Sequence, residues 1–303
     1  MSSGKTEQTV FFGSGPVAAK SLELLLEHTD VEAVITKPRA PHHRGSVPVL
    51  ELAEARNLPL FTVSSKRELD TLVREHTFKS RYGVLIDFGI IVSQQTIDSF
   101  PLGIINSHFS LLPYLRGADP ITWSIANGDH ETGVSLMLID EGMDTGKLLA
   151  QKNLVLSQTE TTPILTNSLI KLSDSLLRDF VPHYLDGELA PYDQPDQENA
   201  TYSRKLDKSD SVINWNRPAK DIERKIRAFQ GWPQSRMRLN NLDVIITVAH
   251  VVDQCGVPAA HGLDGDQLVV FAGEKALSID MIKPSGKKEM PISAFLTGYK
   301  QQL

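Results

Sequence analysis

Through the first half of the chain, short apolar runs alternate with longer stretches in which apolar residues recur at helical spacing. TVFFG (residues 9–13) is β-rich and ends in glycine, as a buried parallel strand would. GSGPVAAKSLELLLEH (13–28) then carries apolar positions on one helical face, with Pro16 suited to a first turn. VEAVIT (31–36) predicts a second strand and residues 48–57 a second helix. LPLFTV, RYGVLID, GIIN and VSLMLI follow as further strands, with helical or loop segments between them. Such alternation predicts an α/β fold: a mostly parallel sheet covered on both faces, with its site at the carboxyl ends of the strands. NLVLS leads into a long amphipathic helix at 162–184, and DGELAPYDQPDQENA reads as a linker or surface loop. From about residue 208 the texture changes to short strands separated by turn residues (MRLNN, DVIITVAHVV, QLVVFAG, ALSIDMIKP), the pattern of a small β-barrel or sandwich. The expected division is a first domain over 1–190, a linker over 191–207 and a second domain over 208–303.

Length and composition agree with this division. At 303 residues the chain exceeds one compact core, and 41% apolar with 22% charged residues is globular composition. No apolar run is long enough to span a bilayer, and no signal peptide is evident, so no membrane partner is expected. One cysteine, Cys255, allows no internal disulfide, in keeping with a reducing cytosol. We expect a monomer. The net charge of −6 does not favour non-specific binding to nucleic acid, so an RNA ligand would need local basic patches. Residues 37–44, 224–227, 236–238 and 283–288 supply candidates; singly, each is more often a solvated surface.

The densest chemistry lies between residues 106 and 146. NSHFSLLPYLRGADP follows an apolar run, and IDEGMDTG follows VSLMLI. If the first run ends a strand, Asn106 and His108 lie on the same side of it. An amide donor, an imidazole and a carboxylate from neighbouring strand ends meet the needs of acyl transfer to an amine. The amide stabilises an oxyanion, the imidazole moves a proton, and the carboxylate orients or relays.

These words resemble the formyltransferase family that uses 10-formyltetrahydrofolate, and in particular its branch acting on methionyl-tRNA. The resemblance rests on Asn106-Ser107-His108, Ser110-Leu111-Leu112-Pro113, Arg116-Gly117-Ala118 and the run from Asp140 to Gly146. In the C-terminal half it rests on Arg227-Ala228-Phe229, Trp232-Pro233 and the run from Pro284 to Met290. It implies a Rossmann-like formyltransferase domain followed by an OB-like barrel, with 10-formyltetrahydrofolate as co-substrate, initiator methionyl-tRNA as partner and no metal. It implies Asn106, His108 and Asp144 as catalytic residues. Ser110, Leu111, Leu112, Pro113, Phe88, Gly89, Ile90 and Asp140 would shape the folate site, Asp140 either meeting the pterin or capping its loop. Arg39, Arg44, Lys283, Lys287 and Lys288 would meet tRNA. An amino-sugar nucleotide is the alternative acceptor, since relatives acting on sugars share the N-terminal chemistry. A non-catalytic RNA- or folate-binding module would need no such triad.

Some residues depart from the family's pattern. Asp87 stands where a small or apolar residue is usual, and Phe109 follows His108 where Gly or Pro is usual, so folate affinity and the pocket entry are where effects are expected. The loop PRAPHHRGSVP is a shorter form of the family's basic insertion, and His42 and His43 make a weak zinc signal without acidic or cysteine partners. Gly13-Ser14-Gly15-Pro16-Val17-Ala18 fits a dinucleotide turn, yet Thr36, Lys37 and Pro38 stand where the ribose-binding acid belongs. A tight strand-to-helix turn is therefore the expectation there.

Overall fold

The computed structural model describes residues 7–40, 45–299 and 301. The chain forms two compact units. The first takes residues up to Gly117, with Thr132–Leu154 and Thr166–Tyr202; the second takes Ala118–Glu131, Val155–Leu165 and the chain from Ser203 onward.

In the first unit, β1 (Thr9–Phe12), α1 (Pro16–Leu25), β2 (Val31–Thr36), α2 (Pro48–Ala55), β3 (Leu60–Thr62), α3 (Lys66–Glu75), β4 (Tyr82–Leu85), α4 (Gln94–Asp98) and β5 (Ile104–His108) alternate as expected. The two-residue strand β6 (Arg116–Gly117) comes next, and α5 (Pro120–Asn127) belongs to the second unit. Strands β7 (Glu131–Leu138) and β8 (Leu148–Val155), helix α6 (Thr162–Leu185) and the short strand β9 (Tyr202–Ser203) complete this stretch. The main sheet has the order β3-β2-β1-β4-β5-β7-β8. Strands β1 to β5 are parallel, and β7 runs antiparallel to β5. All four residues of β1 are buried, because a parallel strand covered on both faces has no solvent side to alternate with. Val10, Phe12, Ala33, Ile35, Phe100 and Ile104 form one core cluster, each such side chain stabilising by roughly 1.5–3 kcal/mol if apolar and large. The strand order reverses between β1 and β4, and in open sheets of this kind the ligand crevice lies outside the carboxyl ends of the strands at that switch.

The second unit adds α7 (Ala219–Ala228), β10 (Ser235–Leu239), β11 (Leu242–Val252), β12 (His261–Asp264), β13 (Gln267–Phe271), β14 (Ala276–Pro284), β15 (Met290–Pro291) and α8 (Ile292–Tyr299). Its sheet is antiparallel in the order β10-β11-β14-β13-β12, with β15 on β14, the small OB-like β domain anticipated. Ile222 and Ile226 of α7 and Phe295 of α8 join Leu268, Leu277 and Ile279 in its core. No helix among the described residues is long and apolar enough to cross a membrane.

One polar clamp fixes the approach to β4. Glu32, in β2, accepts the backbone N–H of Lys79 (2.8 Å) and of Ser80 (2.7 Å) and the Ser80 hydroxyl (2.6 Å). Burial pushes its carboxyl up, but the Lys79 and Ser80 donors outweigh this and hold it below the ordinary 4.5. A folded-state value below the unfolded one means the clamp's stability is complete above about pH 4.5 and is lost as pH falls through the lower folded value. Glu32→Gln puts an NH2 group against those donors. It should cost about 1–3 kcal/mol in urea unfolding at pH 7, with the gap to the parent protein closing in acid.

Candidate active site

Asn106 and His108 lie inside β5 rather than beyond its end, because the strand continues through His108. Alternation then divides the strand's chemistry. The hydroxyl of Ser107 points the other way and shares a 2.6 Å hydrogen bond with Ser173 on α6, while Asn106 and His108 share the opposite face. Both are buried, at 9% and 7% exposure. Asp144 reaches this face from the loop between β7 and β8. Asn106 Nδ2 donates to Asp144 Oδ1 at 3.4 Å, and His108 Nδ1 stands 3.7 Å from Asp144 Oδ2. Asp144 has a left-handed backbone (φ 54°), a strained state for a non-glycine residue, and its Oδ2 accepts the N–H of Gly117 at 2.7 Å.

The other ring nitrogen of His108 sets the tautomer. Nε2 lies 2.9 Å from the carbonyl oxygen of Leu115, and a carbonyl can only accept, so Nε2 carries a proton. In the neutral imidazole the free lone pair is therefore on Nδ1, the atom that faces Asp144.

The Ser-Leu-Leu-Pro stretch works mainly as a turn. Ser110 is buried; its hydroxyl donates to Tyr114 O (2.6 Å), and its carbonyl accepts the Ser135 hydroxyl (2.7 Å). Leu112 packs with Met137 and Leu148, and the Leu112–Pro113 bond is cis. Leu111 is half-buried. The turn brings Leu115 and Gly117 back to His108 and Asp144. Phe109 is buried within the fold.

At the switch between β1 and β4, the residues expected near folate are partly core. Phe88 is buried edge-on against Phe12 (5.7 Å between ring centres), which leaves its backbone, not its ring, for a ligand. Its carbonyl accepts the Ser14 hydroxyl at 3.0 Å. Gly89 has φ 65°, and a Cβ there would stand 2.7 Å from Lys37 Nζ. Ile90 is half-buried, whereas Ile91 and Met143 are exposed apolar residues in the loops after β4 and β7. Asp140 caps its own loop, accepting Gly142 N (3.0 Å) and Thr145 Oγ1 (2.8 Å). A Cβ at Gly15 would overlap the carboxylate of Asp87, which thus rests against the first turn of α1. Negative charge already occupies the helix end that a dinucleotide's pyrophosphate would need.

The basic residues fall into separate places. Arg39 donates to Gly45 O (2.9 Å) and pairs with Glu51 (3.0 Å). Arg44, like His42 and His43, lies outside the described residues. Lys283, Lys287 and Lys288 come together around a cavity of about 440 Å³ that Phe229, Gln230 and Thr247 also line. Strand pairing sets Arg236, Ile245 and Lys283 in one row across β10, β11 and β14.

Sequence reasoning missed Leu115 O and Gly117 N, because backbone groups carry no side-chain signature. It also missed Gln194. That residue is buried in the stretch read as a linker; it donates to Asp144 O (2.8 Å) and Gly146 O (2.9 Å) and accepts from Arg116 (2.6 Å). A glutamine in a Pro-, Asp- and Asn-rich segment offers nothing to single it out.

Residues 9–181 match the formyl transferase family, and residues 205–300 match its C-terminal domain. The chain belongs to the formyl transferase family. Within it the chain is similar to methionyl-tRNA formyltransferases. It is 36% identical to that of Myxococcus xanthus over 298 residues, covering 96% of this chain and 95% of the relative. It is also 36% identical to that of Pseudoalteromonas translucida, covering 95% and 93%. Solved structures share the fold at lower identity. An N-formyltransferase from Helicobacter canadensis, in complex with folinic acid and dTDP-3-aminofucose, superposes with TM-score 0.66 at 19% identity, covering 91% of this chain and 99% of that one. HypX from Aquifex aeolicus in complex with tetrahydrofolic acid gives 0.64 at 14%, covering 97% and 48%.

The loop that carries Asp144 has little room to move. A Cβ at Gly146 would overlap the carbonyl oxygen of Leu138 across the β7–β8 connection. Gly146→Ala is expected to cost about 1–3 kcal/mol in urea unfolding. A variant as stable as the parent would show that the loop relaxes without strain.

Proposed function

We propose that this chain transfers the formyl group of 10-formyltetrahydrofolate to the α-amino group of methionyl-tRNA. The observation that carries the reading is similarity over nearly the whole length to enzymes of that name, in both halves of the chain. That acceptor is met where translation begins, in the cytoplasm. The folate would lie in the crevice at the β1/β4 switch, against the backbone of Phe88 and Gly89 and near the exposed Ile91 and Met143. Its formyl group would point at β5.

The amine nitrogen attacks the formyl carbon, a C–N bond forms, and the carbonyl oxygen becomes an oxyanion. The Asn106 amide donates to it, a contribution of roughly 3–4 kcal/mol for one well-aimed donor. The attacking nitrogen loses its proton to Asp144, directly or through water. The C–N10 bond then breaks, and N10 leaves with a proton delivered from His108 Nδ1. That atom is the one available, because Nε2–H is held by Leu115 O. Asp144 beside Nδ1 hands on the proton taken from the amine, so the ring regains there the proton it gives to N10. The basic row of the second unit, Arg236 with Lys283, Lys287 and Lys288, would meet tRNA phosphates, and Arg39 and Arg44 would guide the aminoacyl end.

His108→Ala and Asp144→Ala should each lower turnover by at least about a hundredfold while tetrahydrofolate binding persists. Formylation measured with charged initiator tRNA and, separately, with amino-sugar nucleotides decides the acceptor. Transfer only to the sugar would replace the tRNA reading by the second one known for this fold.

Binding of charged tRNA should weaken steeply with salt. Replacing Lys287 and Lys288 together with Ala should flatten the log–log slope by up to about two units, at close to one per phosphate contact. An unchanged slope and affinity would remove the lysines from the RNA path.

A further inference from the structure

Two sets of contacts behind Asp144 and His108 start from the segment between the matched ranges, residues 182–204. Tyr192 pairs with Leu148 of β8 through two backbone hydrogen bonds (2.7 and 2.9 Å), which fixes where the next residues lie. Gln194, two residues on, is 4% exposed and its amide is fully engaged. Both hydrogens of its NH2 group go to carbonyl oxygens of the catalytic loop, those of Asp144 and Gly146, while its oxygen takes the Arg116 guanidinium. Asp144 is the loop's left-handed residue, so Gln194 grips the loop at its strained point. Thr201 then acts on the imidazole side. Its hydroxyl accepts Leu115 N–H at 2.9 Å, and its carbonyl accepts Arg116 N–H at 2.9 Å. Leu115 presents the carbonyl that holds His108 Nε2–H.

No other side chain of similar size reproduces this. Glutamate would keep the acceptor for Arg116 and lose both donors; leucine would lose all three contacts; asparagine is a methylene short. The side chain touches no reacting atom, so its effect must pass through the groups it holds.

We propose that Gln194 and Thr201 are positioning residues: Gln194 sets the carboxylate of Asp144, and Thr201 sets the imidazole of His108. This rests on the formyl-transfer reading above. The experiment is a double-mutant cycle on the full chain, with formyl transfer to charged initiator tRNA measured at saturating and limiting 10-formyltetrahydrofolate. Gln194→Leu is expected to lower kcat by roughly ten- to a hundredfold, as a misplacement near 1 Å does, and to change the folate KM by less than about threefold. In an Asp144→Asn background the same substitution should lower kcat by less than about threefold, because the group it positions is already disabled. An equal loss in both backgrounds would make Gln194 merely structural and overturn the proposal, as would wild-type kcat in Gln194→Leu. Should Gln194→Leu fail to fold, Thr201→Val, isosteric and at an exposed position, carries the same test against His108→Ala. There, non-additive losses support the proposal, and additive or absent ones overturn it. Full turnover in Asp144→Asn alone would instead sink the catalytic reading, an outcome distinct from a silent Gln194.

Discussion

The hydrogen bond from the Gly117 N–H to the Asp144 carboxylate (Oδ2) ties together the two loops on which the candidate site depends. One loop returns from β5 through Ser110 to Gly117; the other joins β7 to β8. Left alone, neither would hold its shape, since Leu115 and Asp144 both sit in left-handed backbone conformations that cost of order 1 kcal/mol or more each. The strain is tolerated because surrounding contacts over-determine it. Ser135 and Gln151 secure the first loop from below, and Asp140 closes the second on itself. The outcome is a carboxylate facing an imidazole whose proton placement is already decided by a main-chain carbonyl.

The sheet explains why these loops meet here. Its order reverses between β1 and β4, the place where open sheets of this kind seat a ligand, and β7 runs antiparallel to β5 so that its following loop brings Asp144 to Asn106 and His108. The glycine turn after β1 has the form of a nucleotide-binding turn, but Asp87 lies against it. The same architecture that elsewhere seats a pyrophosphate is here filled from within by a side chain, and the crevice is left to a ligand that does not depend on that helix end.

Much of this was legible in the residues. The alternation of apolar runs and helical stretches predicted the parallel sheet, because strands buried on both faces cannot disguise themselves as amphipathic ones. Asn106, His108 and Asp144 announced themselves by chemistry and spacing, and the structure brings them within 4 Å of one another in the pairs measured. The burial of the Phe88 and Phe109 side chains was not legible, since whether an aromatic residue is exposed or packed in a core depends on contacts that a local pattern does not encode. Leu115 and Gly117 act through their backbone, where identity leaves no trace. Gln194 was hidden for a further reason: polar, Pro-rich composition predicts irregular backbone well but says nothing of whether that backbone is bound.

The irregular stretch after α6 also bears on how such a chain can be recombined. Similarity alone suggests a joint anywhere between residues 181 and 205, where one matched range stops and the next begins. Yet Tyr192, Gln194 and Thr201 are stitched to β8, the β7–β8 loop and the β5–β6 turn within the first unit. A chimera that borrows a foreign C-terminal half at the near side of that interval would inherit a stranger's strap on a native site. One spliced at the far side, past Tyr202, would keep Asn106, His108 and Asp144 under their own strap while exchanging the β domain. Room for evolutionary or engineered exchange of the C-terminal half is thus a matter of a few residues.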